Sequence, residues 1–257
     1  MIANRHDNRV VLVTGAGSGI GAAIASQYAS EGATLALVDI DEAGLSSQAQ
    51  ALRDQGVRVA TAVGDVADFN ACQKLHQALI TELGAPIDTL INNAGISPKT
   101  QGKPAAFWEM DPEQWARVVD VNLNGAFNWA RVLTPGMVQA KFGRVVNMSS
   151  VAAKFFVSFT AAHYGTTKAA LIGLTRDLAG ELGPHGVTVN AIAPGRIDTP
   201  LMRTSSASTN ESIVAQTPLR RLGLPSEVAE VACFLTAPES SFVTGQVIDV
   251  AGGWLMT

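Results

Sequence analysis

Cysteine is nearly missing from this chain. Its 257 residues include two, Cys72 and Cys233, which form no metal-ligand spacing and are too few for a disulfide framework. Both fall in apolar helical patterns, so they read as buried free thiols in a reducing compartment. Histidine is also scarce, and His6, His76 and His185 have no metal-like partners in the sequence. No metal site is expected. The net charge is −4, and lysine and arginine are spread without a basic run. That argues against nucleic acid or an anionic membrane as a partner. The first nine residues carry no apolar core of the kind a signal peptide has. Val10 to Ser30 is a long uncharged run, but four glycines and several hydroxyl side chains interrupt it. It fails as a membrane span. The chain reads as soluble and cytoplasmic, with 47% hydrophobic residues and enough length to bury a core without staples.

Among what is present, the alternation of strand and helix patterns comes first. Val10-Val-Leu-Val13 is a short β-branched run that reads as a buried strand. It stops at Thr14-Gly15-Ala-Gly17-Ser-Gly19-Ile-Gly21, and Ala22 to Glu31 then has helical composition. Strand, glycine-rich turn and helix form the context that a phosphate-binding loop requires. Glycines allow a tight turn and a close approach of backbone to a pyrophosphate, whose charge meets the helix N-terminus. The next strand, Thr34 to Val38, ends in Asp39, 18 residues past Gly21. That is near the ~20 expected of an acid holding the adenosine ribose hydroxyls. A carboxylate there accepts two hydroxyl hydrogen bonds and repels a 2′-phosphate. Positions 40 and 41 are Ile40 and Asp41, not basic, so the cofactor reads as NAD rather than NADP. Asp39 could instead cap the following helix, although Asp41 is better placed for that.

Further strands are expected at 57–61, 87–91, 144–148, 187–193 and 247–250. Helices are expected near 68–83, 112–137 and 161–182. Regular alternation with buried strand runs predicts an α/β fold: a single-domain, Rossmann-type, doubly wound parallel sheet of about seven strands, with helices on both faces. No repeat or linker divides residues 1–257. In such sheets ligands bind outside the carboxyl ends of the strands. Gly15 to Gly21, Asp39, Asp65, Asn92 to Gly95, Ser150 and Pro194-Gly195 all follow strand ends.

Tyr164 and Lys168 are four residues apart, one turn along the same helix face. Tyrosine has a pKa of about 10, and a neighbouring ammonium favours the phenolate. The pair can work as a proton-transfer unit; the plain alternative is a surface lysine packed over a half-buried tyrosine.

In order and over nearly the whole chain, these residues resemble the short-chain dehydrogenase/reductase family. The matching features are Thr14-Gly15 with Gly19 and Gly21, Asn92-Asn93-Ala94-Gly95, Asn122, Ser150, Tyr164 with Lys168, and Pro194-Gly195. Thr244-Gly245-Gln246 and Gly252-Gly253 also match. The resemblance implies hydride transfer between a nicotinamide and a carbon bearing a hydroxyl or carbonyl. Tyr164 would be the general acid or base, and Lys168 would depress its pKa and hold the nicotinamide ribose. Ser150 would bind the substrate oxygen, and Asn122 would hold a water of a proton relay. Gly15, Ser18, Gly19, Ile20, Gly21, Asp39, Ile40, Asp65, Val66, Asn92, Ala94, Gly95, Pro194, Gly195, Ile197 and Thr199 would line the cofactor. Ser150 stands one residue further from the tyrosine than is usual in the family, and Val151 occupies the usual position. A one-residue insertion in the 152–163 loop accounts for this; Ser149 is the alternative. The resemblance also implies a homotetramer built through the helices at 112–137 and 161–182 and the last strand.

His163 reads as a pocket wall, and Phe155 to Phe159 as a substrate lining or a subunit contact. Arg196, in the segment before Asp198, could meet a substrate carboxylate or be solvated. Residues 196–222, with the turn formers 204–209 between Leu201, Met202 and Ile213, suggest a lid over the substrate. Three functions stay open. One is an NAD-dependent dehydrogenase or ketoreductase acting on a secondary alcohol or ketone. Another is an NADPH-dependent 3-oxoacyl thioester reductase. The third is a non-catalytic NAD-binding regulator.

Overall fold

The computed structural model describes residues 4–100, 102–200, 202 and 207–256. Leu201 and residues 203–206 of the expected lid lie outside them. Seven strands form one sheet: β1 (Val10–Thr14), β2 (Thr34–Asp39), β3 (Val59–Val63), β4 (Thr89–Asn92), β5 (Gly143–Met148), β6 (Val187–Pro194) and β7 (Val247–Val250). Their spatial order is β3-β2-β1-β4-β5-β6-β7, and every neighbouring pair is parallel. The helices are α1 (Gly19–Ser30), α2 (Glu42–Arg53), α3 (Phe69–Leu83), α4 (Pro112–Val119), α5 (Gly125–Ala140), α6 (Ala162–Leu182), α7 (Ala207–Gln216) and α8 (Pro225–Thr236).

Strand alternation explains why the strand runs are apolar throughout. Successive side chains leave opposite faces of a strand, and both faces here are covered. On one face Val11, Val13, Leu35 and Leu37 pack with Ile24 and Tyr28 of α1, Leu45 of α2 and Val228 of α8. On the other, Val10, Leu12, Ala36 and Val38 pack with Leu79 of α3, Trp129 and Leu133 of α5 and Leu182 of α6. Cys72 and Cys233 are buried free thiols in these two layers, and burial pushes the Cys72 thiol up to about 12. Among the described residues, no helix is long and apolar enough to cross a membrane.

Two expected boundaries move. The strand expected at 57–61 forms at Val59–Val63, because the Val57 N–H is spent closing the end of α2 on the Leu52 carbonyl. The helix expected as one piece over 112–137 is broken. A π-turn at Asp120–Asn124 separates α4 from α5. Asn122 is drawn inward there to bond the backbone of Ile96. Gly125 follows because a Cβ would stand 2.6 Å from a Val66 methyl.

The chain's start is tied to the body by buried charge. Arg5 grips Glu31, the C-cap of α1, through Nε and Nη2, each at 2.7 Å, and the Glu31 side chain is fully buried. Arg5→Ala would strand that carboxylate without a counter-charge and should lower the unfolding free energy by about 3–5 kcal/mol. Replacing the pair together, Arg5→Met with Glu31→Leu, should lose much less; urea titration of both variants measures the difference.

Candidate active site

A cavity of about 440 Å³ opens at the carboxyl ends of the strands, where the strand order reverses between β1 and β4. This is the crevice that the topology of an open α/β sheet leaves for a ligand. One end is built by the glycine turn. Gly15 adopts φ +65°, a left-handed conformation costly for other residues, and a Cβ on Gly21 would fall 1.9 Å from the Gly15 carbonyl oxygen. The turn thus packs directly on the first turn of α1, so backbone N–H groups face the cavity at a helix N-terminus. Asn93 clamps it, donating from Nδ2 to the Thr14 and Gly15 carbonyls at 2.9 and 3.0 Å.

Asp39 closes the same end. Its Oδ2 accepts from Gly17 N at 2.8 Å and its Oδ1 from Asp41 N at 3.0 Å. Each oxygen keeps a lone pair for a further donor. Asp39 does not cap α2, whose N-cap is Asp41. Asp65 and Val66 line the wall beside it, and Arg117 pairs with Asp65 at 2.8 Å. A glycine turn that admits no Cβ, a helix N-terminus and a carboxylate with free lone pairs fit the pyrophosphate and ribose of a dinucleotide.

At the other end stand Ser150, Tyr164 and Lys168. Ser150 stands near enough to the Tyr164 phenol to favour its ionised form. It also caps the short 3₁₀ turn Val151–Ala153, accepting from Ala152 N at 3.1 Å. Ser149 Oγ instead donates to the Lys168 carbonyl at 2.8 Å. Lys168 is buried, and its Nζ donates to the Met148 carbonyl at 2.7 Å. Burial lowers its pKa to about 8. A Cβ on Gly95 would lie 3.2 Å from that Nζ, so glycine is what leaves it room.

The Tyr164 pKa departs from expectation. Burial raises it above the ordinary tyrosine value, while the Ser150 hydroxyl and then the charge of Arg196 draw it back. The lysine's Nζ is directed at Met148, 5.7 Å from the tyrosine ring centre, and desolvation of the phenol outweighs the nearby cations.

Most of the residues expected at the cofactor line this cavity: Gly15, Ser18, Gly19, Ile20, Asp39, Ile40, Asp65, Val66, Ala94, Gly95, Pro194, Gly195, Ile197 and Thr199. Three do not. Gly21 packs behind the turn. Asn92 points the other way along β4, donating to Asn147 Oδ1 at 2.9 Å and the Ala126 carbonyl at 3.2 Å, and Asn93 lines the cavity in its place. Asn122 sits beneath the wall. Its Oδ1 accepts from Ile96 N at 2.7 Å, and its Nδ2 donates to the Ile96 carbonyl and to Thr167 of α6. His163, expected as a pocket wall, is fully buried with neither ring nitrogen bonded to a described residue. Residues not anticipated also line the cavity, among them Ser97, Lys99, Arg117 and Trp254. The aromatic cluster divides: Phe159 lines the cavity, stacked on Trp254 at 6.1 Å between ring centres, while Phe156 is exposed.

Away from the cavity, His6, Glu31 and Cys233 lie within 4.8 Å of one another, a cluster the sequence did not suggest. Arg5 and Gln27 already occupy the Glu31 carboxylate, and burial raises the Cys233 thiol, so the group is saturated by protein partners rather than offered to a cation.

A lysine whose folded-state pKa is about 8 against an ordinary 10.5 costs stability while protonated. That cost is complete below pH 8 and is relieved as pH rises towards 10.5. Relative to Lys168→Met, the wild type should therefore gain about 3 kcal/mol between those limits; chemical denaturation of both at pH 7 and pH 10.5 reads it out.

The family model described as Enoyl-(Acyl carrier protein) reductase matches residues 15–255. The chain is 37% identical over 249 residues to a 3-oxoacyl-(acyl-carrier-protein) reductase of Thermotoga maritima, spanning 97% of this chain and 98% of that one. It is 39% identical over 248 residues to an acetoacetyl-CoA reductase of Rhizobium meliloti, with 96% and 98% covered. The crystal structure of a 3-oxoacyl-(acyl-carrier protein) reductase with bound NAD from Brucella melitensis matches with TM-score 0.93 at 48% identity, over 100% of this chain and 94% of that one. Sequence and fold agree over the whole length: the chain belongs to the short-chain dehydrogenase/reductase family of nicotinamide-dependent oxidoreductases.

Proposed function

We propose that this chain is an NAD(H)-dependent ketoreductase that interconverts a 3-oxoacyl group and its 3-hydroxy form. The observation that carries the reading is the gathering of Ser150, Tyr164 and Lys168 at one end of a cavity whose other end is closed by Asp39. The 3-oxoacyl part draws on the relatives named as 3-oxoacyl and acetoacetyl reductases. The preference for NAD draws on Asp39, whose carboxylate suits two ribose hydroxyls and repels a 2′-phosphate, and on the structural neighbour with NAD bound.

When bound, the nicotinamide supplies or accepts the hydride at its C4. The protein handles the oxygen and its proton. Ser150 and the Tyr164 hydroxyl donate hydrogen bonds to the ketone oxygen and stabilise the charge that develops there. Tyr164 then gives its proton to the forming alkoxide. Burial that raises the phenol's pKa keeps it protonated at neutral pH, which suits the acid role in reduction. In oxidation it must be the base, so that direction gains from higher pH. Lys168 would hold the nicotinamide ribose, and Asn122, through Ile96 and Thr167, would fix the floor beneath it. The 196–222 segment would act as the lid.

The test follows nicotinamide absorbance with NAD(H) and NADP(H) on a panel of ketones and secondary alcohols. Tyr164→Phe should lose about 10²–10⁴ in kcat with cofactor binding kept. Asp39→Ala should weaken NAD by about ten- to a hundredfold, narrowing its lead over NADP. Turnover that survives in Tyr164→Phe removes the proposed acid. The same reading carries a homotetramer, joined partly through the exposed Phe127 on α5; light scattering giving a monomer mass would refute that association.

A further inference from the structure

Charge is divided along the cavity wall. Its charged residues are Asp39, Asp65, Lys99, Arg117, Lys168 and Arg196. Both carboxylates stand at the glycine-turn end, and Arg117 is taken by Asp65. The reaction end carries cations, and among the described residues no carboxylate lines it. Arg196 stands close enough for its charge to act on both the Tyr164 phenol and the Lys99 ammonium.

Arg196 is held rigidly. Its guanidinium carbon lies 4.7 Å above the centre of the Phe159 ring, which stacks on Trp254. Its Nε and Nη2 donate to Asn210 Oδ1 of α7 at 3.0 and 2.7 Å, and Nη2 also to the Met202 carbonyl at 3.5 Å. Every one of these acceptors is neutral. Among the described residues Nη1 donates to none. One edge of the guanidinium fork is therefore fixed against α7, and no carboxylate among the described residues pairs with it. Burial works against that charge, and neutral acceptors only partly offset the lost hydration. A half-buried, immobilised guanidinium with donors left over is the arrangement that binds a carboxylate in fixed orientation.

We infer that Arg196 determines substrate specificity by receiving a free carboxylate, so that the reacting pair is a 3-oxo acid and its 3-hydroxy acid. This rests on the ketoreductase reading and narrows it. Arg196 and Tyr164 line the same cavity, with Arg196 over the Phe159–Trp254 stack, so a substrate whose ketone meets Tyr164 can present a carboxylate to Arg196 when the two groups are a few bonds apart. A 3-oxo acid meets that requirement; in a coenzyme A thioester the nearest negative charge is a distant phosphate. Phe159 and Trp254 provide an apolar wall for the remaining alkyl chain.

The experiment compares acetoacetate, methyl acetoacetate and acetoacetyl-CoA as substrates of the NADH-loaded wild type, Arg196→Gln and Arg196→Lys. The wild type should prefer the acid over its ester by about ten- to a hundredfold in kcat/KM. Arg196→Gln should erase that preference through KM, and Arg196→Lys should restore part of it. An unchanged acid-to-ester ratio in Arg196→Gln overturns the inference, as does a thioester preference that the substitution leaves intact. Equal NADH binding by all three proteins rules out misfolding. Calorimetric titration of the NAD-saturated proteins with butanoate and methyl butanoate separates the two readings. Butanoate binding that needs Arg196, without turnover of any ketone, keeps the anion site and removes the ketoreductase assignment. Equal binding of acid and ester removes the anion site.

Discussion

An ammonium group kept out of water is the constraint around which the reaction end of this molecule is arranged. Lys168 is buried, and its protonated form survives there because the Met148 carbonyl takes its hydrogen bond at the end of β5. Space for it exists because position 95 has no side chain. The loop carrying Gly95 is in turn fixed by Asn122, which bonds both the N–H and the carbonyl of Ile96. Asn122 reaches Ile96 from a π-turn, where the helix carries an extra residue and exposes backbone groups that an α-helix would use internally. The break between α4 and α5 is thus one of the conditions for holding the lysine. So is the Asn122–Thr167 bond, which locks the same turn to α6 one residue before Lys168.

Desolvation has opposite effects on the two members of the pair. It disfavours the cation of Lys168 and the anion of Tyr164, so each is pushed towards its neutral form. Reasoning from helical spacing alone treats the lysine as a charge acting on the tyrosine and omits the shared burial. In the folded chain the groups that draw the phenol back are Ser150 and Arg196, which come from the ends of β5 and β6. Proton chemistry here therefore depends on the meeting of three segments rather than on one helix turn.

That division explains what the sequence revealed. Strands buried on both faces leave continuous apolar runs, so the sheet, its parallel sense and the turn after β1 were legible from composition and spacing. Asp39 was legible because strand ends mark the ligand edge. The motif led to Asn92 as the cofactor contact, although strand alternation turns that residue away from the crevice. Asn92 faces the layer between β4 and α5, and its neighbour faces the crevice. The π-turn had no signal in periodicity, since it adds one residue to an otherwise helical pattern. Lys99 and Trp254 were invisible for another reason. They enter from a loop and from the C-terminal segment, and only tertiary packing brings them to the cavity.

The two ends of the cavity follow from one topology but are read by opposite charges. At the reversal between β1 and β4, Asp39 and Asp65 stand on one side, where the proposed cofactor's hydroxyl groups would meet Asp39. On the other side the segment leaving β6 delivers Arg196 to the cavity. Asn210 of α7 is the residue that holds the guanidinium, so α7 and the cation are fixed to one another. An anion arriving at Arg196 would then meet a guanidinium whose orientation is already set by α7. Under the proposed reading, recognition of the anion and placement of the ketone at Tyr164 would be one event, because the cation and the phenol line the same cavity and neither can be reached without entering it.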